Sequence, residues 1–303
     1  MTDMEADMKL KQIGEKTYYI ENDTNIGIYM TGPDRVCLID TGSKGDGEKI
    51  DDILAEQGWS LDFIINTHCH IDHVGGNKYL MEKYNVPAYC TDVDKTFAEY
   101  TDLESAYMNG GRPASKLRHI FAHPGKIGFK DIEDVDLPGI EWMMLPGHSF
   151  GMIGVKTSDG IWFLGDTYLS EAYLQKRSFG YLIDVEKYME TLELLKSFEA
   201  NIFVPSHGIA EKNIEDILDL NIKNQNDLID AVKCVCSSEE DDFMGIGLDE
   251  ILKKMYDVTK MRVNETNHAL LSSTVKCYLT LLQDRGDLEC GFADNVMVWK
   301  SVK

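Results

Sequence analysis

The sequence of 303 residues lacks any apolar run approaching the roughly 20 residues that a membrane-spanning helix needs. Residues 1–8 are acidic and lack the basic and apolar regions of a signal peptide. The seven cysteines are odd in number and lie mostly inside strand or helix patterns, so they do not suggest a disulfide framework. These absences predict a cytoplasmic protein with reduced thiols and no membrane partner.

Basic residues are also few, because 30 Lys and Arg stand against 52 Asp and Glu, which gives a net charge of −22. Such an excess repels nucleic acid at long range, although a local basic patch could override it. The nearest approach to a patch is diluted by apolar residues and comprises Arg112, Lys116, Arg118 and Lys126. The hydrophobic content of 43% and the charged content of 27% are typical of a globular protein. The charge balance therefore argues against nucleic acid as a partner.

One stretch concentrates candidate ligands, since three of the eight histidines and one aspartate fall within residues 68–73, in the pattern HxHxDH. The apolar run 61–66 before it predicts a buried strand, and the pattern after Gly75 predicts a helix. Open α/β sheets bind their ligands at such strand ends. Alternate residues of an extended segment share a side, so His68 and His70 can reach one metal ion. Asp72 and His73 emerge in another direction and can reach a second.

Four other strand-like runs each end in a short turn that carries one ligand-type side chain. They are 36–39 before Asp40, 142–145 before His148, 161–164 before Asp166, and 202–204 before His207. A single histidine after a strand would be a weak signal, because it is more often a surface or core residue. The set, in this order and with these turns, is specific.

In this order the motifs resemble those of the metallo-β-lactamase-fold hydrolases, over about residues 8–215. The resemblance implies an α/β fold, a four-layer αββα sandwich, with two metals at one edge between the sheets. It implies that metal one is held by His68, His70 and His148, and metal two by Asp72, His73 and His207. Asp166 would bridge the two metals. Asp40 would support the site from behind, where a carboxylate orients a ligand imidazole.

Two adjacent divalent metals can bind a bridging water and lower its pKa towards about 7. The resulting hydroxide would attack a carbonyl carbon or a phosphorus, with Asp72 to orient it. An aspartate at position 166 resembles the glyoxalase II-like thioesterases and the phosphodiesterase and ribonuclease branches more than the true β-lactamases. We expect a hydrolase of a small ester, thioester or lactone. The alternatives are a phosphodiesterase or ribonuclease, and a metal-binding sensor without turnover. Zinc is the expected metal, with iron or manganese as alternatives, because His and Asp serve all three.

Beyond residue 215, the sequence pattern predicts a connecting helix and acidic linker at 216–245 and a small module at 246–303. Helical patterns at 248–256 and 268–282 precede a hairpin centred near Asp294, an order that resembles a winged-helix module. From residue 221 onward, ten Lys and Arg stand against fourteen Asp and Glu. Because nucleic-acid affinity depends mainly on a basic face, we expect this module to complete the pocket or form a homodimer instead.

The segments 97–123 and 168–181 flank the third and fourth motifs, and we expect them to line a partly apolar pocket. The candidate pocket residues are Tyr100, Tyr107, Met108, Arg112, Phe121, Tyr173 and Tyr181. An equally good interpretation is that the residues of the first segment only pack a lid onto the sandwich. Residues 97–108 predict one helix. A ribonuclease would instead need an open, basic approach to the metals.

Overall fold

The computed structural model describes residues 8–115, 117–118, 126–176, 179–238 and 244–302. Phe121 and Lys116, which the sequence analysis selected, lie outside the described residues. The described chain forms two sheets with helices on their outer faces, followed by further helices and a small third sheet.

The larger sheet has seven strands that pair in chain order. They are β1 (Lys9–Gln12), β2 (Thr17–Glu21), β3 (Ile26–Met30), β4 (Arg35–Ile39), β5 (Ser60–Ile65), β6 (Ala88–Cys90) and β7 (Lys130–Asp131). The pairs up to β3 and β4 are antiparallel, and the pairs from β4 onward are parallel. The parallel strands β4 and β5 therefore bring Asp40 and the HxHxDH turn to the same edge.

The second sheet has four strands in the order β11-β10-β9-β8. They are β8 (Ile140–Met144), β9 (Ile153–Thr157), β10 (Ile161–Phe163) and β11 (Ile202–Val204). Strands β10 and β11 are parallel, so Asp166 and His207 follow neighbouring strand ends. The two sheets pack face to face through buried side chains such as Ile39 and Ile65 from the first sheet and Val155 and Phe163 from the second.

Helices cover both outer faces of this sandwich. Those of the first half are α1 (Asp46–Gln57), α2 (Ile71–Val74), α3 (Asn77–Tyr84), α4 (Asp92–Glu99) and α5 (Leu103–Asn109). Those that follow are α6 (Glu171–Lys176), α7 (Val185–Leu195), α8 (Glu215–Val235), α9 (Leu248–Thr259) and α10 (Glu265–Asp284). The core of the larger sheet's outer face includes Leu38, Ile50 and Leu80, and that of the smaller sheet includes Phe203 and Leu192. This arrangement confirms the predicted αββα architecture.

The predicted single helix over 97–108 is wrong, because the structure has two helices there, α4 and α5, separated at Tyr100 to Asp102. The two halves pack into different cores. Phe97 and Ala98 lie against the outer face of the larger sheet, whereas Met108 packs against Tyr181 and residues of α10. A straight helix could not reach both partners, so the chain turns between them.

The C-terminal region contains the predicted helix, helix and hairpin, together with a short extra strand. Its sheet has the order β12-β14-β13, from β12 (Ile246–Gly247), β13 (Leu288–Ala293) and β14 (Val296–Ser301). Asp294 and Asn295 form the two-residue turn and both have positive φ, a conformation that Asp and Asn tolerate. Met255, Tyr278 and Trp299 belong to the same buried cluster as the smaller sheet. The winged-helix resemblance and the domain boundaries stay predictions.

All seven cysteines are free thiols, as expected. Within the described ranges, no helix combines the length and apolar character needed to cross a membrane.

Candidate metal centre

The side chains of five histidines and two aspartates meet at the edge where strands of both sheets end. Four of them lie close together on the turn after β5 and in the short helix α2, and the other three arrive from the ends of β10 and β11 and from the loop between β8 and β9. These seven residues are His68, His70, Asp72, His73, His148, Asp166 and His207. The structure therefore brings together every predicted metal ligand.

In the first cluster, the inner nitrogen of one histidine ring lies within hydrogen-bond distance of the inner nitrogens of two others. His70 Nδ1 lies 2.9 Å from His68 Nε2 and 2.9 Å from His148 Nε2. His68 and His70 are almost completely buried. The three nitrogens therefore face one small, largely buried volume.

The outer nitrogens of the first cluster determine which ring nitrogens carry protons. His70 Nε2 lies 2.8 Å from a carboxylate oxygen of Glu104, and His148 Nδ1 lies 3.0 Å from the carbonyl oxygen of Tyr181. Both acceptors require an N–H donor. His68 Nδ1 lies 3.1 Å from the hydroxyl of Thr67, which donates its own hydrogen to Asp40. The inner nitrogens are therefore left with lone pairs that point at each other.

The second cluster contains Asp72, His73 and His207. The Asp72 carboxylate lies 3.7 Å from His73 Nε2 and 3.3 Å from His207 Nε2. His73 Nδ1 donates to Asp40 at 2.9 Å, and His207 Nδ1 donates to the carbonyl oxygen of Asp23 at 2.7 Å. These two rings, too, turn their Nε2 atoms inward, towards the carboxylates. The His207 side chain is 37% exposed, so this cluster is open to solvent on one side.

Asp166 lies between the two clusters. One of its oxygens is 3.4 Å from His73 Nε2, and the other is 3.4 Å from His148 Nε2 and 3.5 Å from His207 Nε2. Among the described residues, His73 Nε2 and Asp166 Oδ1 are buried without a hydrogen-bond partner. Buried polar atoms without partners are destabilising, and converging lone pairs repel. Cations between these atoms would remove both penalties, so the donor set fits two metal ions with His and carboxylate ligands.

The electrostatics of the clusters differ. Burial lowers the pKa of His148 to about 4 and holds the pKa of His68 well below its usual value. Burial also opposes protonation of His73, but the carboxylates of Asp166 and Asp72 raise its pKa to about 10. The Asp166 carboxylate raises the pKa of His207 to about 12. Without a metal and near neutral pH, His73 and His207 of the second cluster are therefore protonated, whereas His68 and His148 of the first cluster are neutral.

Asp40 lies directly behind the ligands, as the resemblance implied. Its carboxylate accepts hydrogen bonds from the backbone N–H of Thr67 at 2.8 Å, the Thr67 hydroxyl at 2.8 Å and His73 Nδ1. The residue adopts a positive φ of 63°, which an aspartate tolerates. Cys69, between two of the histidines, packs in the core on the helix side of the larger sheet, away from the clusters.

A cavity of about 170 Å³ adjoins the clusters and is bounded by His148, Asp166 and His207. Its other walls are largely aromatic and come from the segment 168–182 and Tyr188. Helix α8 and the C-terminal region complete it with Gln225, Met261, Asn267 and Leu270. The C-terminal module therefore forms part of the wall next to the candidate metals.

The structure distributes the predicted pocket residues unevenly. Tyr173 and Tyr181 line the cavity beside the clusters. The remaining described candidates are not among its lining residues. Tyr107 lines a separate cleft towards α7 and α10, Met108 is buried in a small apolar core, Tyr100 is 61% exposed, and Arg112 forms a surface ion pair with Asp102.

Sequence reasoning missed two contributions to the site. Gln225, Asn267 and Leu270 reach the cavity through the packing of α8 and α10, and Met261 reaches it from the loop between α9 and α10. Glu104 reaches His70 from α5, 34 positions along the chain. One signal pointed to it, because Glu104 and Met108 are four residues apart and share the buried face of α5. A carboxylate on an apolar helix face indicates a buried partner.

Residues 21–207 match the sequence model of the Metallo-beta-lactamase superfamily. The chain belongs to this superfamily. The matched range contains all seven predicted ligands and Asp40, so the family expected from the motifs is confirmed.

Curated relatives are similar over part of the chain. A probable metallo-hydrolase of Bacillus subtilis, YqgX, is 26% identical over 133 residues, which cover 43% of this chain and 59% of the relative. A hydroxyacylglutathione hydrolase of Brucella canis is 34% identical over 160 residues, which cover 52% of this chain and 53% of the relative. The matches thus span little more than half the length of these relatives.

A solved structure extends the fold comparison to the C-terminal region. A beta-lactamase domain protein from Burkholderia ambifaria superposes with a TM-score of 0.74, covering 97% of this chain and 94% of the other. At 16% identity, this likeness concerns the fold alone.

Proposed function

We propose that the protein is a dinuclear metal-dependent hydrolase of small esters, thioesters or lactones. The observation that carries this proposal is the convergence of five imidazole nitrogens on the two sides of one buried carboxylate, Asp166. His68, His70 and His148 would hold metal one, and Asp72, His73 and His207 metal two, with Asp166 shared. Zinc is the proposed metal. The hydrolase names of the curated relatives support the reaction class.

Divalent cations held there would lower the pKa of a water molecule towards about 7 and polarise a substrate carbonyl. Asp72 is 34% exposed and lies on the solvent side of the site, so its carboxylate can accept a hydrogen bond from the attacking water. Asp40 and Glu104 keep the protons of His73 and His70 on the outer nitrogens, so that the inner nitrogens remain free to ligate. Neither a serine nor a cysteine nucleophile is needed.

The walls of the cavity support a small-molecule substrate. They are largely aromatic and bound a cavity beside the clusters, whereas a polynucleotide would need an open, basic channel. The basic residues predicted for an RNA approach lie elsewhere. Arg112 pairs with Asp102, Arg118 donates to the carbonyl of Pro113, and Lys126 lies over the ring of Tyr100. These positions favour a carbonyl substrate, and the match to a hydroxyacylglutathione hydrolase supports the glyoxalase II-like branch.

Activity assays on the metal-loaded protein test the proposal. We expect turnover with acyl thioesters, aryl esters or lactones, and none with a single-stranded RNA substrate. Asp166→Asn should abolish this turnover, whereas Asp52→Asn, which changes an exposed carboxylate on α1, should not. Cleavage of RNA with no carbonyl hydrolysis would favour the phosphodiesterase alternative. Metal binding without hydrolysis of any substrate class would favour the sensor alternative.

A further inference from the structure

Glu104 is a buried carboxylate whose only described ion-pair partner is a histidine of the metal centre. One oxygen lies 2.8 Å from His70 Nε2, and the other is buried without a hydrogen-bond partner among the described residues. Within the described ranges, no Lys or Arg forms an ion pair with it. A buried carboxylate is costly unless a positive charge compensates it. A cation held by His70 Nδ1 would supply such a charge across the imidazole ring.

The helix that carries Glu104 packs against the C-terminal region, and it also contacts the sandwich, where the ring of Tyr107 lies against that of Phe150. Met108, one turn further along α5, packs with Tyr181, Ile183 and Ala269. Ala269 lies near the start of α10, next to Leu270, which lines the cavity beside the metal centre. The carboxylate and the apolar contacts thus lie on one helix face, with His70 at one end and α10 at the other.

We propose that Glu104 is a positioning residue that couples the occupancy of metal one to the docking of α5 on the C-terminal region. The inference uses the ligand assignment of the proposed function, but it does not depend on catalysis. The carboxylate fixes the proton on His70 Nε2, so the lone pair of Nδ1 stays directed at metal one. A cation on Nδ1 polarises the N–H bond to Glu104, so it strengthens the hydrogen bond that holds α5.

This coupling works in both directions, because two linked equilibria change each other by the same factor. Weakening the Glu104 contact should lower the affinity for metal one. Removing metal one should weaken the docking of α5 on the C-terminal region. Metal two has no described contact with Glu104, so it should be affected much less. A purely structural role for Glu104 would instead destabilise the fold without distinguishing the two metals.

Metal titration of three variants tests the first direction. Glu104→Gln and Glu104→Ala should lower the affinity for metal one by about 10- to 100-fold, the usual effect of losing a carboxylate behind a ligand histidine. The visible spectrum of bound Co²⁺ should change for that site alone. Asp102→Asn is the matched control, because it removes an exposed carboxylate from the start of the same segment. Unchanged affinity in both Glu104 variants, or equal losses at both metals, would overturn the proposal.

Hydrogen exchange on the full chain tests the second direction and does not require a Glu104 variant to fold. Adding Zn²⁺ to the metal-free protein should slow amide exchange in residues 103–109. In Met108→Ala, which loosens α5 without touching His70, affinity for metal one should fall several-fold. If metal leaves exchange in 103–109 unchanged, or Met108→Ala binds metal one normally, the coupling is absent. Neither readout involves a substrate, so an inactive protein that passes these tests would contradict only the proposed hydrolase function.

Discussion

The two halves of the candidate metal centre differ in burial, charge and support. The first cluster consists of three histidines, largely buried, and burial keeps His68 and His148 neutral. The second combines a partly exposed aspartate with His73 and His207, and nearby carboxylates raise the pKa of both histidines. Asp166 contacts both halves. Metal binding by the first half thus depends on the precise orientation of its rings. Metal binding by the second half depends on competition between metal and protons.

The supporting contacts follow the same division. In the first cluster, the rings are held by Glu104, by the carbonyl of Tyr181 and by Thr67, and two of these contacts come from segments that adjoin the C-terminal region. In the second, the rings are held by Asp40 and by the carbonyl of Asp23, both within the sandwich. Changes in the C-terminal region should therefore affect metal one more than metal two.

Asp166→Ala should have the largest effect, because it removes the one side chain common to both halves. We expect both metals to bind more weakly and kcat/KM to fall by about 10³-fold or more, since metal-assisted stabilisation is worth several kcal/mol. Elemental analysis and steady-state kinetics are the measurements. A variant that kept both metals and full activity would show that Asp166 is not a bridge.

Single histidine variants should remove the two metals separately. His148→Ala should remove metal one and leave metal two largely bound, and His207→Ala should do the reverse. Activity should fall in both, but the metal that remains should differ. His268→Ala, an exposed histidine on α10 outside the clusters, is the control and should retain both metals. Loss of both metals from each single variant would mean that the halves form one inseparable site.

The second cluster should make the metal-free protein less stable at alkaline pH. His73, with a pKa of about 10 in the folded state, stays protonated where an unfolded histidine near 6.5 does not. Its contribution to stability is full below pH 6.5 and is lost as the pH rises through about 10. The free energy of unfolding of the metal-free protein should therefore decrease between pH 7 and 10. In the metal-loaded protein, ligated rings carry no such proton, so the decrease should be much smaller. Denaturant titrations at several pH values provide the measurement.

Much of the metal centre could be predicted from the sequence because its ligands lie in one contiguous motif or at strand ends. Asp40, Asp166 and His207 each follow a short apolar run, and sheet topology then brings these ends together. Glu104 could not be assigned in the same way, because its partner depends on how α5 docks. The break between α4 and α5 was missed for the same reason, since their two packing partners are far apart in the sequence. Gln225 and Leu270 reach the cavity through helix packing that has no local signature.

The smallest expected effect is the binding of nucleic acid by the C-terminal module. Residues 246–303 hold eight Lys and Arg against eight Asp and Glu, so the module has no basic excess, and we predict no tight binding of RNA or DNA, because phosphate contacts need a basic face. Titrations at several salt concentrations would detect such contacts as a steep loss of affinity with salt. Submicromolar binding of this kind, abolished by Lys253→Glu and Lys254→Glu on α9, would contradict the prediction and would favour the ribonuclease alternative.

The most direct test of the account is the number of metal ions per chain. Elemental analysis of the fully loaded protein, combined with a titration of the metal-free protein, should give two divalent ions per chain. The titration should resolve two steps, with the second-cluster step strengthening as the pH rises, because metal there must displace protons from His73 and His207. A saturated protein with one ion or none per chain would contradict the central claim that these seven side chains form a two-metal site.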